Sequence, residues 1–365
     1  MDIKEFFLEE HPRLYYLELK EGKRYFKGED LPLPIVKDDF LENIKKSRFR
    51  EEVEIKHFIK GMIFNISIDP EFKYNERYLE ILKEWTKDLQ GLIFQMGISS
   101  LSKPKDAIHF FHANEVLGVK DRRNRFFYGF LLHELTKDVE IRRKILLMMN
   151  ELLRENPEFP LPYFGLANIE IHQGNYLKAN LYLEQALEKI DHWEEEEGLK
   201  QSLKEMIQSQ KQAIEKDSKL QEASLYLEQG SLKKAQEILL SFDGEIGIVQ
   251  YLLGKVALKS GQYHGAKEYF DRAYDLDYRE LSYYLDASFT DFELGFVKGA
   301  LDKLTEGLER YIEDENLLYN RAMVYITLEE FEKAKEDLST IISYDDINEN
   351  IFNQAMGILQ YLEKR

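Results

Sequence analysis

A pattern of small and large apolar residues returns every 34 residues in the C-terminal half of this chain, and a fixed period of that length admits few folds. Gly261-Gln262-Tyr263, Gly295-Phe296-Val297 and Glu329-Glu330-Phe331 stand at successive 34-residue steps. Five residues after each first member is a small residue, Ala266, Ala300 or Ala334; four further on is a large apolar one, Phe270, Leu304 or Leu338. Ahead of the turns, Leu253-Gly254, Ala287-Ser288 and Arg321-Ala322 form a second matched set. An upstream copy runs through Tyr163, Leu166-Ala167, Gly174-Asn175-Tyr176, Ala179, Leu183 and Ala186, and a fainter one through Ala223, Tyr226, Gly230-Ser231-Leu232, Ala235 and Leu239.

The spacing predicts helical hairpins. Small residues let two antiparallel helices approach closely, large ones fill the space around them, and glycine accepts the tight turn between. A single hairpin cannot bury both faces, so such units stack into a continuous core. Only 20 Gly and 8 Pro in 365 residues leave little to interrupt the helices.

These residues resemble the tetratricopeptide repeat (TPR) family, whose 34-residue unit has a Trp-x-x-Leu-Gly-x-x-Tyr first helix, an Ala in the second helix and often a closing Pro. The resemblance covers 160–193 and 216–348 and is worn before 160. The leading Trp is replaced by Tyr163, Gln250, Tyr284 and Leu318, and the closing Pro by Asp191, Tyr278, Ile312 and Asp345. The resemblance implies an all-α fold, a right-handed α-solenoid of TPR-like helix-turn-helix repeats.

The chain accordingly divides into a non-repeat segment 1–52, worn hairpins 53–159, an array 160–345, and a capping helix 346–365. Asn156-Pro157 stands where the family expects its Pro, and Pro104 starts a helix with its fixed φ. Turn glycines 174 and 230 lie 56 residues apart where the period predicts 34, so the array contains a helical insertion near 194–215. Leu31-Pro32-Leu33-Pro34-Ile35 reads as an extended linker, because the residue before a Pro is pushed out of the helical basin. Residues 13–26 read either as a helix or as a hairpin turning at Glu21-Gly22.

Composition excludes several functions. A formal charge of −18 disfavours a phosphate backbone or an anionic membrane, so neither nucleic acid nor membrane is an expected partner. Without Cys there is no disulfide framework, thiolate metal site or Cys nucleophile. The charged N-terminus has no apolar run of signal-peptide length, and no stretch suits a membrane span; a cytoplasmic location is expected. No Gly-x-Gly-x-x-Gly, phosphate-loop Lys or Gly-x-Ser-x-Gly elbow occurs. His109, His112 and Glu115 share one helix face at ligand-like spacing but sit among Phe110 and Phe111, so packing is the better reading. His133-Glu134 lacks a second His four residues on, since Lys137 stands there. No catalytic residue, metal ligand or cofactor is expected.

What remains is surface. In the family, residues on the first helices line a concave groove. Carried over position by position, the resemblance implies a groove of Phe127, Phe130, Phe164, Asn168, Tyr251, Lys255, Phe289, Phe292, Tyr319 and Met323. Part of this set is ordinary packing between helices; the rest would suit an apolar peptide or amphipathic helix, with Asn168 bonding its backbone. The carboxylate clamp of chaperone-binding members is not supported, because only Asn168 and Lys255 are comparable. Residues 281–350 carry 6 basic and 17 acidic side chains, so −11 of the −18 lies there, and a basic or neutral partner would be steered to that end. The expected function is a non-enzymatic protein–protein interaction scaffold. The alternative is a regulator that senses a peptide in the groove and acts through its N-terminal segment.

Overall fold

The structure, a computed structural model, describes residues 3–9, 13–18, 31–46, 54–195, 197–344 and 347–364. Apart from one two-stranded sheet, every regular element among them is helical, and the fold is an all-α array of helical hairpins. The chain separates into two compact units, Met1–Ile214 and Glu215–Arg365.

The first unit opens with α1 (Ile3–Leu8), strands β1 (Leu14–Leu17) and β2 (Leu33–Val36), and α2 (Lys37–Lys46). The strands pair antiparallel, with Leu14 opposite Val36 and Leu17 opposite Leu33. The Leu31–Ile35 stretch is therefore not a linker. Its extended backbone becomes β2 because Leu33, Ile35 and Val36 all find burial against α3 (Ile55–Ile68). Pro34 is tolerated because each strand of a two-stranded sheet is an edge. Gly61 of α3 lets the strand lie directly on the helix: a Cβ there would sit 1.9 Å from the Pro34 carbonyl oxygen. The Glu21-Gly22 turn lies outside the described residues.

Paired helices follow: α4 (Asn75–Trp85), α5 (Leu89–Ser99), α6 (Pro104–Val116), α7 (Arg122–Leu135), α8 (Val139–Glu155), α9 (Pro160–His172) and α10 (Tyr176–Ile190). Asp88, Asp121 and Asp138 cap α5, α7 and α8 by accepting from free amides of the first turn. Leu14, Leu33 and Ile35 share a core with α3 to α6, while Phe7 enters the core of α6 to α10. The described parts of the N-terminal segment are thus built into the unit.

The insertion takes the form of one 32-residue helix, α11 (Glu197–Glu228), within which the unit boundary falls. Leu203, Ile207 and Ile214 of this helix join the core of α7 to α10.

The second unit continues with α12 (Leu232–Leu240), α13 (Gly247–Lys259), α14 (Tyr263–Asp275), α15 (Leu281–Glu293), α16 (Val297–Arg310), α17 (Glu315–Thr327), α18 (Phe331–Ile342) and α19 (Glu349–Glu363). Within each hairpin the small residue of the second helix, Ala235, Ala266, Ala300 or Ala334, has no exposed surface. Its large partner, Leu239, Phe270, Leu304 or Leu338, is buried beside it. At Gly254 a Cβ would fall 2.5 Å from the Phe270 ring, so α13 and α14 need hydrogen at that contact. The last helix, α19, packs on α17 and α18 through Ala355 and Leu362.

Five of the inter-helix turns share one closure. Gly174, Gly230, Gly261, Gly295 and Glu329 all have φ between 62° and 80°. In each case the next amide donates back five residues, from Asn175 to Glu170, Ser231 to Tyr226, Gln262 to Ala257, Phe296 to Asp291 and Glu330 to Tyr325, at 2.8 or 2.9 Å. This is the Schellman closure, and it satisfies carbonyls the helix end would leave free.

Candidate functional site

Every residue expected to line a groove lies on α7, α9, α13, α15 or α17, the first helices of their hairpins. In the first unit, Phe127 and Phe130 are half-buried and belong to an aromatic stack. Phe127 lies 5.2 Å from Phe111, and Phe130 lies 5.6 Å from Phe126 and 5.9 Å from Phe164. Phe164 itself is only 4% exposed. Asn168 is engaged at both ends: its Nδ2 donates to the Phe164 carbonyl at 2.8 Å, and its Oδ1 accepts from Gln210 Nε2 of α11 at 2.7 Å. The inserted helix therefore takes up the polar group that the sequence reading reserves for a ligand.

In the second unit the residues divide more favourably. Tyr251 is buried, and its hydroxyl donates to Asp286 Oδ2 at 2.7 Å. Burial first, and then the Asp286 carboxylate, raise its pKa far above the ordinary phenol value. Lys255 Nζ lies 3.7 Å from the same carboxylate oxygen and 5.5 Å from the Tyr251 ring, joining α13 to α15 by an ion pair and a cation–π contact. Asp286 organises this end of the surface, though no motif in the sequence marks it. Only its register does so: it stands one residue after Leu285, which is one repeat on from Tyr251.

The 34-residue register places Lys255, Phe289 and Met323 in one row across α13, α15 and α17, with Leu258, Phe292 and Ile326 in a neighbouring row. These first helices touch one another in order, α13 with α15 and α15 with α17. Phe289 is 47% exposed, while Phe292, Tyr319 and Met323 are half-buried. The face thus presents an aromatic ring to solvent beside a fixed Lys–Asp pair. The acidic end of the chain also contains ordered ion pairs: Asp291, almost fully buried, meets Lys303 at 2.5 Å and Lys267 at 3.1 Å, and Arg321 holds Asp337 through two hydrogen bonds. A cavity of about 420 Å³ beside that Arg321–Asp337 pair is lined by Leu308, Leu318, Tyr325 and Tyr344 among others.

The other sequence candidates are placed as packing groups. Ser67 Oγ lies 3.0 Å from His109 Nδ1 and 3.1 Å from His112 Nδ1, and Phe7 stacks on the His112 ring at 3.7 Å. Glu115 instead accepts from Asn124 Nδ2 at 2.8 Å, and its burial raises its pKa. Burial pushes the His109 and His112 pKa values down to about 3 and about 4, so both rings are neutral near pH 7. No helix among the described residues is long and apolar enough to cross a membrane.

The sequence profile of the family described as tetratricopeptide repeat matches residues 249–279 and 315–348, the segments that form α13–α14 and α17–α18. No curated protein sequence matches the chain. Solved structures similar to it include YrrB, described as a TPR protein with an unusual peptide-binding site, at 21% identity over 60% of this chain and 98% of that one, TM-score 0.36. A tetratricopeptide repeat protein from Parabacteroides merdae is 12% identical over 74% of this chain and 98% of its own, TM-score 0.39. The C-terminal part of a TPR repeat-containing protein from Cytophaga hutchinsonii is 14% identical over 71% and 98%, TM-score 0.40. Over these two segments the chain resembles the tetratricopeptide repeat family in sequence.

Proposed function

We propose that this protein is a non-enzymatic protein–protein interaction scaffold that binds an apolar or amphipathic peptide segment with basic flanks across α13, α15 and α17. The observation that carries the reading is the row Lys255, Phe289 and Met323, in which a half-exposed phenylalanine sits on a rigid repeat face beside a paired lysine. A ring fixed by its helix loses little freedom when covered, which is the property of an interface anchor. The acidic excess over 281–350 favours a partner with positive charge near its apolar residues. Phe127, Phe130, Phe164 and Asn168 are assigned to packing within the first unit rather than to ligand contact. Tyr251 serves as the support that holds Asp286.

The test is selection of a displayed random-peptide library on the full chain, followed by affinity measurement with the enriched peptides. Phe289 leaves roughly 100 Å² uncovered, worth about 2.5 kcal/mol if buried by a ligand. Phe289→Ala should therefore weaken the selected peptides by more than about tenfold. Met323→Ala should weaken them less. Equal affinity for the parent protein and both variants would remove this face from consideration.

A further inference from the structure

His133 stands in the last turn of α7 and His172 in the last turn of α9, 39 positions apart in sequence, and the packing of α7 on α9 brings the two rings together. Their planes are 12° from parallel, with centroids 5.1 Å apart. Between them stands Glu134, whose Oε1 is 3.6 Å from His133 Nδ1 and 3.9 Å from His172 Nδ1. One donor atom from each of the three residues lies within 4.8 Å of the others. The separations to the carboxylate are too long for good hydrogen bonds and short enough to converge on a shared cation.

We infer that His133, Glu134 and His172 form a binding site for a divalent transition-metal ion of the zinc class. Two imidazoles and a carboxylate are the donor set that borderline ions such as Zn²⁺ take, with further positions left to water. Ligand bonds of about 2.0–2.1 Å at a tetrahedral angle put donor atoms about 3.3 Å apart. Closure therefore requires donor atoms to move inward by an ångström or so. The residues are arranged for that: His133 is buried, whereas Glu134 and His172 reach the surface, where a side chain has room to shift.

The surroundings favour a cation. Both histidines lie at helix C-termini, where the summed peptide dipoles place partial negative charge. The neighbouring fixed cation is Arg142, whose Nε is tied to the Thr136 carbonyl at 3.1 Å. A bound ion would tie the end of α7 to the end of α9 with open coordination positions facing water. Lys137 stands four residues after His133, so the second imidazole comes not from the same helix but from the next hairpin.

The experiment uses the full chain without a histidine tag, stripped with chelator and titrated with Zn²⁺ in high salt and excess Mg²⁺, which occupy the general acidic surface. One tight equivalent is expected, and Co²⁺ in place of Zn²⁺ should give visible d–d absorption. His172→Ala and Glu134→Gln, both at exposed positions, should each weaken Zn²⁺ by about tenfold or more, with unfolding in the absence of metal unchanged. Lack of saturable binding under these conditions overturns the site. So does full Zn²⁺ affinity in His172→Ala. Full affinity in Glu134→Gln alone overturns the place of the carboxylate in it.

Discussion

Replacing Gly61 by Ala asks how closely β2 lies on α3. A Cβ at this position would fall 1.9 Å from the Pro34 carbonyl oxygen, 2.4 Å from its carbon and 2.9 Å from the Ile35 nitrogen. All three blocking atoms are backbone, so no side chain can rotate away. To restore a contact of about 3.5 Å the strand must retreat by roughly 1.5 Å, taking Leu33, Ile35 and Val36, which are at most 2% exposed, with it. Overpacking of this kind costs typically about 1–3 kcal/mol, and a rigid obstacle places it at the upper end. Alanine returns about 1 kcal/mol by its better helix propensity in the middle of α3. The expected net loss is about 2 kcal/mol. Gly357, exposed in the middle of α19 with nothing within 4 Å of a built Cβ, supplies the opposite control: Gly357→Ala should gain about 1 kcal/mol. Because a chain of two units need not unfold in one step, urea unfolding should be paired with hydrogen exchange at the β1–β2 amides. Unchanged stability in Gly61→Ala, together with unchanged exchange at those amides, would refute the close approach and with it the account of why this segment is a strand.

Two further perturbations follow from the same geometry. Glu329 holds φ at 62° where the equivalent turns have glycine. A left-handed L-residue costs about 1–2 kcal/mol and glycine's extra chain entropy about 0.5–1, so Glu329→Gly should raise the stability of α17–α18 by up to about 1 kcal/mol; a lower urea midpoint would contradict it. The buried imidazoles His109 and His112 have folded pKa values of about 3 and about 4, below an unfolded value of about 6.5. The fold holds the neutral form, so their contribution is complete above pH 6.5 and is lost as pH falls from there towards 4. Between pH 6.5 and 5 the two together make the first unit weaker by roughly 3 kcal/mol in all. A urea midpoint flat across that window would show that the rings are not held neutral.

The hairpins were legible because their signal is local and periodic. Ala266, Ala300 and Ala334 repeat with the turn residues before them, and the structure buries each at the closest helix contact. The insertion was visible as an excess of length, and its form as a single helix follows from the lack of Gly or Pro between Leu199 and Glu228. Other features depended on contacts the period does not encode. The two prolines of 31–35 speak for extended backbone, but whether such a stretch is paired depends on β1 and on the bare surface of Gly61. The engagement of Asn168 required Gln210, 42 residues away on a helix outside the repeat register. Tyr251 read as groove lining because its position in the repeat is correct; its hydroxyl turns to Asp286, and Tyr278 covers its ring at 4.9 Å.

The turn closure carries a consequence for how such a chain can change. Five joints between paired helices are closed by the same main-chain hydrogen bond, each with one residue in the left-handed region. Asn175, Ser231, Gln262, Phe296 and Glu330 occupy the same place in five joints and have nothing chemical in common. The joint is therefore indifferent to spelling, and what must be copied faithfully is only the interval between small and large residues. Hairpins of this kind are interchangeable parts: one cut out or duplicated at the same point of the turn brings its own fastening with it. An array built this way can alter its length and its exposed face in evolution without reinventing the means by which its pieces are joined.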